Sequence, residues 1–350
     1  MTTGTHDLSS LLVARNQSVA EFGLTNIIPI LQRELAAHNQ IAMMLVSDLA
    51  ETTMDRQRKY GVGSIADMIE ADEYSRSPTQ RSAPGDTVGF PLKRFQSAIG
   101  WTQDWFESKT PADMAIAVQS VERAHLRMIT REVKRAFFLS SNYTWDDFLV
   151  DGVDLAVKRL VNADGASIPE GPNNEVFDGA THTHYIGEAS LTAAFLNAAI
   201  NDLVEHGHGN NVKIAVSTTD EAAVRALTGF VAYPDPRITY RSADNPAQTL
   251  DITRINNRAI GIFGGAEVWV KSWMMANYIF IWDAGSPKPL VVRQRANGGM
   301  TGLRIAATNS AFPLYAQYMQ ADFGVGVWNR TNGVSYYFAN ATYANPTITS

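Results

Sequence analysis

The chain has 350 residues, a formal net charge of −6 and no cysteine. A chain with this length and apolar content forms a sizeable core, and without cysteine it has no disulfide, no thiolate nucleophile and no cysteine-based zinc site. Its lysines and arginines are scattered rather than gathered into a basic stripe, which argues against a protein whose main contact is with nucleic-acid phosphates.

The first residues, MTTGTHDLSS, lack the basic region and the long apolar run of a secretory signal peptide. Elsewhere, no uncharged apolar run approaches the ~20 residues that a membrane-spanning helix needs. We therefore expect a soluble protein that is made in a cytoplasm.

Residues 1–24 are polar and mixed, which is typical of an extended arm. From Thr25 onward, apolar residues recur at helical spacing and predict an amphipathic helix, in which Pro29 is tolerable only in the first turn. The apolar positions of this helix are Ile27, Ile30, Leu31, Leu35, Ile41, Met44 and Leu45.

Residues 56–89 are poor in apolar side chains and end in SRSPTQRSAPGDTVG, whose proline, serine and glycine content predicts a loop. The overlapping stretch PGDTVGFPLKRFQSAIGWTQDWFE is rich in aromatic residues but has neither the length nor the period of a core helix. Its aromatic residues are Phe90, Phe95, Trp101, Trp105 and Phe106. Because Trp is enriched at protein–protein contacts, we interpret this segment as a contact with another copy of the chain.

The stretch TPADMAIAVQSVERAHLRMITREVKRAFFLS predicts the clearest helix of the chain. Thr110 can cap it, Pro111 suits its first position, and Asp113 suits its first turn. One apolar stripe runs along it: Met114, Val118, Val121, Met128, Ile129, Val133 and Phe137. A helix of ~29 residues is roughly 43 Å long, so we predict a spine with other structure packed across it.

Residues 143–185 are irregular, with clusters of glycine, proline and asparagine. A second helix is predicted from about Glu188 to His206, where Gly207 stops it. Val212–Val216 then reads as a buried strand followed by a capped helix from Thr219, which is one strand–helix unit of a central sheet.

The C-terminal third is rich in predicted strands. The stretch AIGIFGGAEVWVKSW places two short apolar strands around Gly264-Gly265, which predicts a hairpin. A second hairpin is predicted around Thr331-Asn332-Gly333, since Asn-Gly is a strong turn signal between strands.

The stretch DGATHTHYIGE is the best candidate for chemistry, because histidines two residues apart on a strand share a face and could bind zinc or another divalent metal. The candidates are His182 and His184, with Asp178 before them, Glu188 after them and a second pair at His206 and His208. Glu188 could serve as the acid–base carboxylate of a metal-dependent hydrolase. However, the first pair lies in a predicted loop and the second at a helix end, so we assign no metal ligand.

Other catalytic signatures are missing from the sequence. No glycine-rich phosphate loop, dinucleotide fingerprint, nucleophile elbow or zinc-protease motif occurs. The adjacent carboxylates Asp146-Asp147 and Asp220-Glu221 are typical of turns and helix caps. We therefore assign no catalytic or cofactor-binding residue and expect a protein that is not an enzyme and needs no cofactor.

The order of these parts resembles the major capsid proteins of tailed phages, of the Hong Kong 97 type. The most specific text is IGIFGGAEVWVKSWMMANYIFIWDAGSPKPLVVRQR together with MQADFGVGVWNRTNGVSYYF. The resemblance implies an α+β fold with an N-terminal arm, an extended E-loop, a peripheral domain with a long spine helix, and an axial α/β domain.

Carried onto this chain, the resemblance implies five segments. They are the N-terminal arm (1–55), the E-loop (56–108), the peripheral domain with the spine helix (109–187), the axial domain (188–287) and the return to the peripheral domain with the C-terminus (288–350).

The function that the resemblance implies is self-assembly into the hexamers and pentamers of an icosahedral shell around phage double-stranded DNA. Inter-capsomer contacts would run through the E-loop and the N-terminal arm, and a separate scaffolding protein, a portal and a decoration protein are the expected partners. The subunit would reside in the virion after assembly in the bacterial cytoplasm. An encapsulin-like shell protein of a nanocompartment is the alternative within the same fold.

Some members of the family form a covalent Lys–Asn cross-link between the E-loop and the peripheral domain. The positions here that could match are Lys93 with Asn329 or Asn332. No catalytic glutamate for this reaction can be located in the sequence.

Overall fold

The computed structural model describes residues 16–44, 46–60, 68–79, 85–233 and 257–348. Its helices are α1 (Val19–Phe22), α2 (Leu24–Met44), α3 (Gln103–Ser108), α4 (Pro111–Phe138), α5 (Ala193–Val204) and α6 (Glu221–Arg225), with a 3-10 turn at Gly298–Met300. We call α2 the arm helix and α4 the spine helix. The predicted arm residues 1–15 and the predicted helical Leu45 lie outside the described residues.

Within the described residues, the strands form two large sheets and two small ones. Those of the first half of the chain are β1 (Ala50–Thr53), β2 (Gln57–Tyr60), β3 (Asp86–Gly89), β4 (Lys93–Thr102), β5 (Tyr143–Asp146), β6 (Asp154–Val157), β7 (Tyr185–Gly187) and β8 (Val212–Val216). The remainder are β9 (Val231–Ala232), β10 (Asn257–Phe263), β11 (Ala266–Lys271), β12 (Tyr278–Asp283), β13 (Leu290–Gln294), β14 (Leu303–Ala311), β15 (Leu314–Val327) and β16 (Val334–Tyr337).

The predicted start and length of the spine helix are confirmed. Thr110 and Asp113 form a reciprocal capping box, in which each side chain accepts a hydrogen bond from the other residue's backbone N–H. At the other end, Phe137 and Phe138 are fully buried, and the ring of Phe137 lies 3.8 Å from that of Phe280 in β12. Both ends of the spine helix are therefore fixed, one by its own cap and the other by packing.

The arm helix packs against the spine helix through its buried apolar stripe, which comprises Ile27, Ile30, Leu31 and Leu35. His38 on the arm helix also contacts His125 on the spine helix, with their ring nitrogens 3.0 Å apart. The helix begins at Leu24, so Pro29 lies inside it rather than in the first turn. This part of the predicted arm is thus bound to the core of its own subunit.

The first large sheet lies against the spine helix and is organised around β15. β4 pairs antiparallel with one edge of β15 over Leu314–Phe323, while β14 and then β13 pair with the opposite edge. β1 adds to β13 in parallel. The strand before the spine helix and the strands of the C-terminal return thereby share one sheet.

The aromatic segment is buried within the subunit, and its interpretation as a contact with another copy is wrong for most of its rings. Trp101 is 5% exposed and stands opposite Tyr315 in the β4–β15 register, with the ring of Phe106 6.1 Å away. Phe90 is fully buried, Phe95 packs against the buried core, and Trp105 is half-buried. The packing partner of Trp101 is thus β15 of the same chain, more than 200 residues further along the sequence.

A close approach explains two glycines in the stretch FGVGVWNR. A Cβ atom on Gly324 would overlap the carbonyl oxygen of Pro91, and one on Gly326 would lie 2.7 Å from a ring carbon of Phe90. β15 can therefore pass beside the segment that leads into β4 only because these two positions carry no side chain.

The second large sheet has the strand order β7-β16-β12-β8-β11-β10-β9. Its core contains the buried side chains of β8, β11 and β12 together with Leu196, Ile200 and Leu203 of α5. The predicted strand Val212–Val216 and the predicted hairpin around Gly264-Gly265 are both confirmed. The preceding helix is shorter than predicted, because Thr192 caps it and it begins at Ala193.

The predicted hairpin around Thr331-Asn332-Gly333 is wrong. β15 lies in the first sheet, whereas β16 pairs with β12 and β7 of the second. Asn332 is fully buried, and its side-chain amide donates hydrogen bonds to the carbonyl oxygens of Asp283 and Pro287. The Asn332-Gly333 dipeptide therefore lies in the connection between two sheets and not in a hairpin turn within one sheet.

β2 and β3 pair antiparallel at the base of the predicted loop. Among the described residues between them, Met68 and Tyr74 are almost fully exposed and Ile69 is half exposed. The described part of the region between β2 and β3 thus carries exposed apolar side chains. Of the described residues, none forms a helix long and apolar enough to cross a membrane.

Candidate functional site

Three histidines from two separate segments meet where the second sheet adjoins the end of α5. His182 and His184 precede β7, and His206 follows the C-terminus of α5. The Nε2 atom of His182 lies 3.2 Å from Nε2 of His184 and 3.0 Å from Nε2 of His206. The carboxylate of Glu205 approaches the group, with Oε1 3.4 Å from the His182 Nε2 atom. We call these three histidines the histidine cluster.

The histidine cluster is largely shielded from solvent. His184 is fully buried, and its Nδ1 hydrogen-bonds to the carbonyl oxygen of Gly333 at 2.7 Å. The side chain of His206 is 1% exposed, and its Nδ1 atom has no hydrogen-bond partner among the described residues. The ring of Phe177 covers the cluster, with its centroid 4.1 Å from that of His206.

Burial keeps these imidazoles neutral. It lowers the pKa of His182, and it lowers the pKa of His184 well below the usual value. Burial and the neighbouring histidines lower the pKa of His206 to about 3. In contrast, burial raises the pKa of Glu205, and the nearby Asp202 raises it further. A neutral imidazole is the form that binds metal ions.

The sequence candidates separate into those that the fold brings together and those that it does not. His182, His184 and His206 converge, whereas both ring nitrogens of His208 are hydrogen-bonded elsewhere, to Ser286 and Thr331. Asp178 accepts hydrogen bonds from Ala180 and Thr181 in its own turn, and Glu188 lies outside the cluster. Glu188 is therefore not among the side chains that could hold an ion together with these histidines, and its acid–base role stays a prediction. Glu205 was missed, although it stands directly beside His206 in the sequence.

The candidate cross-link is not supported by the positions of its residues. Lys93 begins β4 inside the first sheet, and its Nζ lies 2.6 Å from the carboxylate of the buried Glu132. Asn332 is fully buried and Asn329 hydrogen-bonds to Pro287. Lys93 is thus held against the spine helix rather than presented on a projecting loop.

Two of the places that carry exposed apolar side chains are far apart in sequence. One is the region between β2 and β3, with Met68, Ile69 and Tyr74. The other is the β14–β15 turn, where Phe312 is 90% and Leu314 60% exposed. We call the second place the hairpin tip. Apolar groups that stay in water on an isolated subunit are typical of surfaces that contact other proteins.

The chain combines a long helix packed against one sheet with a second mixed sheet, and solved phage structures contain the same fold. It is the fold of the major capsid proteins of tailed phages, of the Hong Kong 97 type. The resemblance noted in the sequence is thereby confirmed at the level of the fold.

Solved structures contain this fold at low sequence identity. A chain of Mycobacterium phage Patience matches with a TM-score of 0.70 at 20% identity, covering 94% of this chain and 92% of that one. A capsid chain of the native GTA particle matches with a TM-score of 0.47 at 16% identity, over 84% and 89% of the two chains. The SrpI encapsulin of Synechococcus elongatus gives 0.43 at 9% identity, over 85% and 88%. No protein-family model and no curated protein sequence matches the chain.

Proposed function

We propose that the chain is a major capsid protein that self-assembles into hexamers and pentamers of an icosahedral shell enclosing phage double-stranded DNA. The observation that carries this proposal is the similarity to the phage chain with a TM-score of 0.70, which extends over nearly the full length of both chains. A match of this extent leaves little of the subunit free for an added catalytic domain, and the role needs no cofactor.

The exposed apolar places supply the contacts between subunits. The β2–β3 loop, within the proposed E-loop 56–108, would lie across a neighbouring subunit, and the hairpin tip would meet a second neighbour. Burial of apolar area at such contacts provides the driving force for assembly. The proposed arm 1–55 would contribute through its first residues, since the arm helix is already packed on its own subunit.

The remaining segment assignments follow the same scheme. We assign 109–187 to the peripheral domain, 188–287 to the axial domain and 288–350 to the return and C-terminus. A separate scaffolding protein, a portal and a decoration protein are the proposed partners, with assembly in the host cytoplasm before the subunit resides in the virion.

The charge of the subunit suits contact with packaged DNA that is not held tightly. Each phosphate contact made by lysine or arginine adds to the affinity for DNA through the release of counterions. A formal net charge of −6 keeps that affinity low, so that DNA can move during packaging and ejection.

Electron microscopy of the purified chain tests the proposal. We expect closed shells, tubes or separate capsomers after concentration or after addition of a crowding agent. A sample that stays uniformly monomeric at high concentration would overturn the proposal. Nucleic acid inside particles recovered from infected cells, rather than an enclosed enzyme, would distinguish the phage shell from an encapsulin-like compartment.

A further inference from the structure

We propose that His182, His184 and His206 bind one divalent transition-metal ion, with Glu205 as the fourth ligand, and that the ion fastens the end of α5 to the strand crossing between the two sheets. This site is independent of the shell function. It concerns how one subunit is held together, and it would exist in a subunit that never assembles.

The distances between the nitrogens fit a shared ion. Zinc–imidazole bonds are about 2.0–2.1 Å long, which places two ligand nitrogens of a tetrahedral site roughly 3.3 Å apart. The Nε2 atom of His182 lies 3.2 Å and 3.0 Å from those of His184 and His206. One ligand atom from each histidine lies within 4.8 Å of the others. The three side chains therefore need only small adjustments to meet one ion.

Hydrogen bonding within the cluster cannot satisfy all three rings. Because Nδ1 of His184 donates to Gly333, its Nε2 carries a lone pair that faces His182. A single proton on Nε2 of His182 cannot make a linear hydrogen bond to both His184 and His206. If His206 is instead protonated on Nε2, it occupies the His182 lone pair, and the His184 lone pair then has no donor. A metal ion accepts all three lone pairs at once.

A second observation comes from His206 alone. Its side chain is 1% exposed, yet within the part of the chain that the structure describes its Nδ1 atom has no hydrogen-bond partner. Leaving a buried polar group unpaired costs roughly 1–3 kcal/mol. Coordination through Nε2 leaves Nδ1 unpaired, but it replaces the shared hydrogen bond between the Nε2 atoms of His206 and His182 by a stronger metal–nitrogen bond, which offsets the cost.

The surroundings provide the orientation that metal-binding histidines usually have. In many metal sites, the nitrogen that does not bind the ion donates to a backbone carbonyl or a carboxylate, which fixes the ring. His184 has this arrangement through Gly333, which precedes β16. The carboxylate of Glu205 lies 3.4 Å from His182 Nε2 and 3.9 Å from His206 Nε2, so a side-chain rotation brings it to the ion.

The donor set selects the kind of metal. Three imidazoles with one carboxylate suit zinc and other late first-row ions, whereas Mg²⁺ and Ca²⁺ prefer sites made only of oxygen ligands. With four protein ligands the site is closed, as structural zinc sites are. The ion would connect the segment before β7, the end of α5 and, through Gly333, the link between β15 and β16.

The test uses the full-length chain without a histidine tag, stripped with a chelator and then given Zn²⁺ or Co²⁺. We expect about one zinc per chain after gel filtration, visible absorption of tetrahedral Co²⁺, and a melting temperature that rises with zinc and falls again with chelator. A wild-type chain that retains no zinc and shows no Co²⁺ absorption would overturn the proposal. This measurement on the wild type does not depend on whether any variant folds.

Variants then assign the ligands. His206→Gln and His184→Gln should abolish stoichiometric zinc, and Glu205→Gln should weaken zinc binding at least about tenfold. The matched control is His125→Gln, because His125 is also buried and contacts another histidine, His38, outside the cluster. This variant should still bind one zinc per chain. Retention of full zinc by His206→Gln, or loss of zinc only in His125→Gln, would refute the assignment.

Discussion

Replacing Trp101 with alanine should destabilise the isolated subunit rather than merely block assembly. The side chain is 5% exposed and its ring centroid lies 6.0 Å from that of Tyr315 and 5.9 Å from that of Trp105. Burying roughly 200 Å² of tryptophan surface at about 25 cal/mol per Å² is worth about 5 kcal/mol. Alanine retains part of this area, so we expect the free energy of unfolding to fall by about 4 kcal/mol, within the usual range for such substitutions.

Phe312→Ser is the matched comparison, because Phe312 is also a large aromatic residue on the same sheet but is 90% exposed. Its effect on the free energy of unfolding should stay within about 0.5 kcal/mol, while the yield of assembled particles should fall sharply.

Two assays separate these effects. Thermal or urea unfolding of the unassembled subunit measures stability, and light scattering with electron microscopy measures assembly. If Trp101→Ala left the unfolding transition unchanged and blocked assembly, Trp101 would lie at a subunit contact and its placement in the core would be refuted. If Phe312→Ser assembled normally, the hairpin tip would have no part in subunit contacts.

Three further substitutions probe the core. Arg293→Met should cost about 3 kcal/mol in urea unfolding, because it removes the cation 2.8 Å from the fully buried Asp147 and leaves that carboxylate only the more distant Arg56, at 3.5 Å, among the described residues; a change below about 1 kcal/mol would contradict a buried ion pair. Gly324→Ala should give little soluble protein, since its Cβ would overlap the carbonyl of Pro91; a normal yield would contradict the close approach. Burial and the neighbouring His38 lower the pKa of His125 to about 4. On acidification, the imidazole of His125 is therefore protonated in the unfolded chain before it is protonated in the folded one. The free energy of unfolding should fall as the pH drops from about 6.5 to about 4. In His125→Gln, the midpoint of urea unfolding should depend less steeply on pH across that range. An unchanged pH dependence would mean that other titrating groups cause it.

The spine helix could be predicted from the sequence because its signals are local. Thr110, Pro111 and Asp113 define the start within four residues, and the apolar stripe repeats at the helical period. The hairpin at Gly264-Gly265 was predictable for the same reason, since both of its strands adjoin the turn.

The sequence-based predictions are wrong where a partner that is distant in sequence determines the structure. Trp101 looked unpartnered because Tyr315, its neighbour across the sheet, lies over 200 residues later. Asn332-Gly333 has the composition of a hairpin turn, but tertiary contacts with Asp283 and Pro287 direct the chain into the other sheet. Likewise, the spacing of His182 and His184 was visible, whereas their meeting with His206 and Glu205 depends on how α5 packs.

The ten residue pairs between β4 and β15 also determine how the subunit carries mechanical load. Antiparallel hydrogen bonds run perpendicular to the strands, so a pull directed along β4 strains all of these bonds together and does not open them one by one. The loop between β2 and β3 is joined to the start of β4 through only a few residues. Tension on that loop would therefore be borne by the whole β4–β15 pair and passed to the spine helix, which packs against β15.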